Sequence, residues 1–234
     1  MSGSFLPVAA LMVTAFTVVE KPSEPAPAVM AEEIIAASSD PLSHVRHAVS
    51  RLEIRYEEDF RANPRYLAFE KACPGVIAQL RAAMAAESAL IVRDETPSFD
   101  TPAATSLAAR LTPEELRTVW AFDRTHAGQH MAAASRAAAL RRLEQVTRDG
   151  GAFDAADMRS VRGASVAAAA SAVREEDGEA ILNFGTTRAA AKYAQLRAEI
   201  DQVIGNTELD VVKRAGPRFA DVFKIVIDRR LAGR

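Results

Sequence analysis

Two of the chain's four histidines, His126 and His130, form an H-x-x-x-H spacing at the start of a predicted helix. Imidazoles four residues apart lie on one face of a helix, and zinc sites use this spacing. In the H-E-x-x-H motif of zinc proteases, a glutamate after the first histidine acts as the general base. Here that position is Ala127, so protease chemistry would lack its base.

The other two histidines, His44 and His47, are three residues apart on another predicted helix and could also share a face. A composite metal site would require the two pairs to meet, or a carboxylate such as Asp123 or Glu57 to complete one pair. The spacing alone establishes neither arrangement. We therefore predict no metal and no cofactor, and the H-x-x-x-H pair is the candidate if a metal does bind.

Acidic residues cluster at positions 57–59, 114–115 and 175–177. Paired carboxylates can divide general acid and general base roles, but acids at a helix start also stabilise its N-terminus. We interpret the second and third clusters as helix starts. The chain has no G-x-S-x-G or S-x-x-K motif, and its single cysteine, Cys73, is predicted to be a core or junction residue. These observations favour a non-enzymatic protein.

The composition is that of a soluble, helical protein. Hydrophobic residues make up 49% of the chain and charged residues 26%, whereas aromatic residues make up only 6%. Few aromatic residues and abundant alanine favour closely packed helices over a β-sandwich. The net charge of −2, with no basic stripe, argues against a nucleic-acid partner.

The N-terminal region has the pattern of an export signal. Residues 5–19 form a 15-residue apolar run, which is shorter than a membrane span but long enough for a signal-peptide core. A proline-rich tract follows, with small residues at 26–28 and 29–31. We predict that residues 1–31 are a signal peptide or an N-terminal anchor, although the first four residues carry no positive charge. A helix of the folded domain is the alternative.

The remaining residues, 32–234, predict a single all-α domain without a stable membrane span. Asp40-Pro41, Asn63-Pro64 and Thr112-Pro113 each place a capping residue before a proline at the first helical position. Thr112 and Glu115 also fit a capping box, and Leu116 lies on the apolar face that follows. Residues 94–102 are predicted to be a surface loop, and Gly205-Asn206 a turn between two helices.

A weak internal repeat appears at an offset of 62 residues. Phe122 aligns with Phe184 and Thr125 with Thr187, which predicts two related helical hairpins at 112–148 and 174–204. The fold class is therefore all-α, a multi-helix bundle of helix–corner–helix hairpins. The positions of the two H-x-x-x-H histidines are occupied in the second copy by an arginine and a lysine, Arg188 and Lys192. Such positions are typical of an exposed polar face.

Residues 111–129 read L-T-P-E-E-L-x-x-x-x-A-F-x-x-T-x-A-G-Q, which resembles the core of the bacterial domain-of-unknown-function family 2059. The structural motif positions are Thr112, Pro113, Glu115, Leu116, Phe122, Thr125 and Gly128. Asp123 and His126 depart from the family's usual tyrosine and proline, so the chain would be a divergent member. The resemblance implies an exported protein of Gram-negative bacteria, and it lends no catalytic residues.

Together these features predict a periplasmic or secreted helical protein with a non-enzymatic binding or structural role in the cell envelope. Its partner would be another protein or a second copy of itself. A hydrolase or metal-dependent enzyme with an unrecognised site is one alternative. A cytoplasmic helical adaptor is the other, if the N-terminus is not a signal.

Overall fold

The computed structural model describes residues 24–148 and 155–232, and every regular element within these ranges is helical. The all-α fold class is therefore confirmed. Short 3-10 turns lie at Thr96–Ser98 and Glu175–Asp177. The α-helices are α1 (Pro27–Ser38), α2 (Pro41–Ala62), α3 (Pro64–Ala72), α4 (Val76–Glu95), α5 (Thr101–Arg110), α6 (Pro113–Asp123), α7 (His126–Arg148), α8 (Ala155–Ser171), α9 (Gly178–Gly185) and α10 (Arg188–Ala232).

Proline marks the starts of several helices, as the sequence predicts. Asp40 caps α2 by accepting a hydrogen bond from the Ser43 backbone N–H, and Asn63 caps α3 by accepting one from the Arg65 N–H. Pro at the first helical position lacks an N–H that would have no intrahelical partner there. These boundaries depend on contacts within three residues, and local sequence therefore encodes them.

The longest helix, α10, spans 45 residues, or about 68 Å, and packs against α2, α4 and α5. The predicted turn at Gly205-Asn206 is therefore wrong, and the second hairpin extends beyond residue 204. Val211 and Ala215 just beyond that point are 1% and 0% exposed. Burial of this face offsets the weak helix propensity of glycine and asparagine. The helix also continues past Pro217 to its end at Ala232.

Two hydrophobic cores share α10. The first joins α1, α5 and α6 to the N-terminal part of α10, through residues such as Ile34, Leu107 and Leu116. The second joins α2 and α4 to the C-terminal part, with Phe219 and Phe223 at its centre. A single helix, α10, thus connects the region that holds the hairpins to the rest of the protein.

Helix α1 crosses residue 31, where the sequence predicts the end of the N-terminal segment. It begins at Pro27, so a boundary at residue 31 falls inside the helix. Met30 and Ala31 are 2% and 0% exposed and belong to the first core. Pro27 occupies the first turn of this helix, where proline is tolerated. The predicted signal core at residues 5–19 lies outside the described residues.

The predicted surface loop at 94–102 is also wrong. Helix α4 extends to Glu95, a 3-10 turn follows, and α5 begins at Thr101. Phe99 in between is 2% exposed and stacks on the His44 ring with a centroid distance of 5.3 Å. This buried aromatic ring holds the segment in the second core. Cys73 is buried, which confirms its prediction as a core or junction residue.

Among residues 24–148 and 155–232, no single helix has the length and hydropathy to cross a membrane. One bent pair, Pro64–Ala72 with Val76–Arg110, meets these criteria only when both parts are taken together.

The burial of α1 predicts a contrast between two of its side chains. Replacing Ile34, which is 1% exposed, with alanine should lower the free energy of unfolding by about 2–5 kcal/mol, because the change leaves a cavity. Val29 is 42% exposed, so Val29→Ala should change it by about 0.5 kcal/mol or less. Urea unfolding followed by circular dichroism measures both values. Equal effects would show that α1 does not pack in the first core.

Candidate functional site

The start of α6 has the capping box that the sequence predicts. The Glu115 backbone N–H donates to Thr112 Oγ1 at 3.2 Å, and the Thr112 N–H donates to Glu115 Oε2 at 2.9 Å. Pro113 occupies the first helical position, and Leu116 is completely buried. The carboxylate of Glu115 is thereby held at a fixed place at the helix start.

The corners that follow α6 and α9 have the same hydrogen bonds. Thr125 Oγ1 donates to the Phe122 carbonyl at 2.7 Å and accepts from the Gly128 N–H at 3.1 Å. In the second copy, Thr187 Oγ1 donates to the Phe184 carbonyl at 2.7 Å and accepts from the residue 190 N–H at 3.1 Å. The internal repeat is therefore a structural repeat at this point.

The two corners contact each other directly. The rings of Phe122 and Phe184 stack with their centroids 4.1 Å apart and their planes 6° from parallel. These residues occupy the same position in the two copies, so their contact is self-complementary, like a contact at a two-fold axis. An approximate two-fold axis requires each remaining contact to occur twice, once in each direction.

One of these reciprocal contacts is an ion-pair cluster around Glu115. Lys192 Nζ donates to Glu115 Oε2 at 2.7 Å, and Arg188 Nε lies 3.6 Å from Oε1. The hydrogen bond from Lys192 and the capping bond from Thr112 lower the pKa of the Glu115 carboxyl. The basic residues of the second copy thus neutralise the capping acid of the first.

The opposite contact joins Asp177 to the H-x-x-x-H pair. Asp177 lies 62 residues after Glu115 and is 3% exposed. His126 Nδ1 is 3.1 Å from its Oδ1, and His130 Nδ1 is 3.8 Å from its Oδ2. The hydrogen bond with His126, together with one from the Arg174 N–H, lowers the pKa of the Asp177 carboxyl.

The exposed polar face that the sequence predicts is seen at His126 but only in part at His130. The side chain of His126 is 59% exposed, but that of His130 is only 29% exposed. Sequence reasoning did not identify Asp177 as their neighbour. The 62-residue alignment equates Asp177 with Glu115 and so marks it as a capping acid, but it does not show which residues that acid contacts.

The remaining histidines take no part in this cluster. His44 Nδ1 lies 2.6 Å from Glu208 Oε1 on α10. Burial opposes a charge on His44, but the hydrogen bond and the charge of Glu208 outweigh it and raise the pKa of His44. Glu57 pairs with Arg81 at 2.7 Å. Within the described ranges, the four histidines are not brought together as one metal site.

A cleft of about 580 Å³ lies between α7, α8 and α10. Phe122, Phe184, Met131 and Val161 contribute to its wall, together with small alanine side chains. The polar groups that reach it include Asp123, Tyr193, Arg197 and Asp201. Ligand pockets commonly have this size and this combination of an apolar lining with a few polar groups.

Arg197 organises one side of the cleft. Its guanidinium donates to Ser38 Oγ at 3.1 Å and to the Tyr193 hydroxyl at 3.3 Å, and it lies 3.8 Å from Asp201. Arg162 Nε is 3.5 Å from the other carboxylate oxygen of Asp201. Burial raises the pKa of the Asp201 carboxyl, and the charges of these two arginines oppose the shift.

Asp123 has a different environment on the same cleft. Among the described residues, no hydrogen bond to its carboxylate is seen. Burial raises the pKa of this carboxyl to about 7, although the positive charge of Arg197 opposes the shift. A carboxylate in this state gains stability from any cation or hydrogen-bond donor that enters the cleft.

No protein-family model, curated protein or solved structure matches this chain. The resemblance to family 2059 therefore stays a prediction. The structural roles of its motif residues come from the geometry of the two corners.

The tight corner after α6 predicts that Gly128 is required there. A β-carbon at this position would lie 2.7 Å from Asp123 Cα and also overlap the Phe122 carbonyl. Gly128→Ala should therefore lower the free energy of unfolding by about 1–3 kcal/mol, despite the better helix propensity of alanine. Chemical denaturation measures the change.

The second copy supplies the matched control. Ala190 occupies the equivalent position, so Ala190→Gly should cost about 1 kcal/mol or less, the ordinary difference in helix propensity. A Gly128→Ala protein that is as stable as the wild type would contradict the proposed steric limit.

Proposed function

We propose that this chain is a non-enzymatic binding protein of the cell envelope that holds a small molecule in the cleft between α7, α8 and α10. The ligand would combine an apolar body with a protonated amine. The observation that carries the proposal is the carboxylate of Asp123, which faces the cleft with its pKa raised to about 7.

The cleft supports the apolar part of the ligand. Its volume of about 580 Å³ would accommodate a molecule of ordinary metabolite size. Phe122 and Phe184 present aromatic carbon, and Ala132, Ala139 and Ala169 leave space instead of filling it. Transfer of an apolar body from water to this lining is favourable by roughly 25 cal/mol for each Å² buried.

The charges of the cleft favour an amine over a carboxylate as the polar part. Arg197 and Arg162 already face Asp201, so the positive charges have a protein partner. Among the described residues, the charge of Arg197 is the one that stabilises the ionised form of Asp123. An ammonium group beside Asp123 would form a charge-assisted hydrogen bond and restore a low pKa.

A fluorescent naphthylalkyl amine should bind in the cleft, and the naphthylalkyl carboxylate of equal chain length should bind more weakly. Loss of a hydrogen bond to a charged group costs about 1.5–3 kcal/mol, so Asp123→Asn should weaken amine binding by roughly 10- to 100-fold. Fluorescence titration at pH 8 measures both affinities. Equal affinity for the two probes, unchanged in the variant, would contradict the role of Asp123.

The pH dependence provides a second readout. Only ionised Asp123 pairs with the amine, so affinity should fall by roughly tenfold per pH unit once the pH drops below about 7. The stability of the unliganded protein changes in the opposite direction. Because the folded-state pKa exceeds the ordinary 3.8, the stabilising contribution of Asp123 is complete below that value and is lost as the pH rises to about 7.

Asp123→Asn removes this titration, so its stability relative to the wild type should increase between pH 4 and pH 7. Thermal melts across this range also show whether the variant is folded. A constant difference in melting temperature would mean that Asp123 has an ordinary pKa.

Placement in the envelope requires that the N-terminal segment act as an export signal, and intact mass of the native protein tests this. A mature N-terminus between residues 20 and 29 supports export, whereas retention of the first methionine contradicts it. A start after Ala31 is not expected, because it would remove Met30 and Ala31 from the first core.

A further inference from the structure

We propose that His126, His130 and Asp177 bind one divalent transition-metal ion, with zinc as the representative case. The site lies where the first turn of α7 meets the 3-10 turn Glu175–Asp177. It is separate from the cleft and does not depend on the ligand proposed for it. Two imidazoles and a carboxylate form a donor set that zinc and other late first-row metals prefer.

The geometry of the three side chains fits a single ion. One ligand atom from each residue lies within 4.8 Å of the other two. The His126 Nδ1 to Asp177 distance is 3.1 Å, and the His130 Nδ1 to Asp177 distance is 3.8 Å. Ligand atoms about 2.1 Å from a tetrahedral zinc ion are about 3.4 Å apart, so only small side-chain movements are needed.

The state of His130 is a second, independent observation. Its Nδ1 atom is buried and has no hydrogen-bond partner within the described part of the chain. The 3.8 Å to Asp177 is too long for a hydrogen bond. A buried polar nitrogen without a partner is costly, and a metal bond to its lone pair would remove that cost.

The protein holds the third ligand in place. Asp177 is 3% exposed, and its Oδ2 accepts a hydrogen bond from the Arg174 backbone N–H at 3.2 Å. Such outer contacts orient metal ligands and limit the entropy lost on binding. Glu176 Oε1 lies 4.0 Å from His126 Nδ1 and can supply a fourth ligand, and the exposure of His126 also admits water.

The equivalent positions of the second copy of the repeat carry different side chains. There, Arg188 and Lys192 give Glu115 a permanent positive partner, but neither side chain has a lone pair available for a metal. Imidazole has the opposite properties, because it carries no permanent charge and can donate a lone pair. A cation bound to the histidines of the first copy would therefore balance Asp177 of the second copy, as the arginine and lysine balance Glu115.

The double variant His126→Arg with His130→Lys tests the site, because it reproduces the second copy and keeps a partner for Asp177. Calorimetric titration of the chelator-treated full chain with zinc at neutral pH should give one equivalent with micromolar or tighter affinity. The double variant should bind at least tenfold more weakly. Cobalt should give a d–d absorption band with the wild type, and this band should be absent from the variant.

The converse variant, Arg188→His with Lys192→His, installs the same donor set around Glu115. We expect the stoichiometry to rise from one zinc ion to two. This gain cannot result from loss of structure, and thermal melts verify that each variant is folded. If the arginine–lysine variant does not fold, His130→Gln is measured instead.

Absence of saturable zinc binding by the folded wild type would overturn the proposal and leave a histidine–aspartate ion pair only. Binding that is undiminished in the arginine–lysine variant would also overturn it, because the ion would then lie elsewhere.

Discussion

The stacked rings of Phe122 and Phe184 join the corners of the two hairpins, and the other features of the site depend on this contact. Because the two residues are equivalent in the repeat, their contact brings each capping acid to the basic positions of the other hairpin. The same contact sets Asp123, the next residue along the chain, beside the cleft. Helix α10 then links this arrangement to both hydrophobic cores.

The two corners share the same backbone hydrogen bonds but differ in the side chains that face the capping acid. Around Glu115, the ammonium of Lys192 forms a permanent ion pair that lowers the pKa of the acid. Around Asp177, imidazole nitrogens occupy the equivalent places. An ammonium can only neutralise a carboxylate, whereas an imidazole can also share a metal with it. The two corners differ in the acid and in the two residues that face it, and we expect these differences to change what each corner can bind.

Local signals predicted the helix starts that follow a capping residue and a proline, at Pro41, Pro64 and Pro113. The capping box of Thr112 and Glu115 operates within three residues, and tertiary packing does not alter it. The wrong predictions share a cause, since the residues involved become buried. Phe99 holds a proline-bearing segment in the second core, and the buried face of α10 carries the helix through Gly205. In each case the free energy gained by burying apolar side chains exceeds the unfavourable local helix propensity, which is about 1 kcal/mol per residue.

The sequence by itself determined the helical class, the helix starts at Pro41, Pro64 and Pro113, and the 62-residue repeat, because these depend on residues close together in the chain or on direct comparison of its two parts. Only the tertiary structure decided that Asp177, 51 residues beyond His126, completes the histidine pair. It also decided that Asp123 lies in a cleft where its pKa rises, since that depends on how α7, α8 and α10 exclude water. Proximity between distant residues and the burial of charge are properties of packing, and no local pattern encodes them.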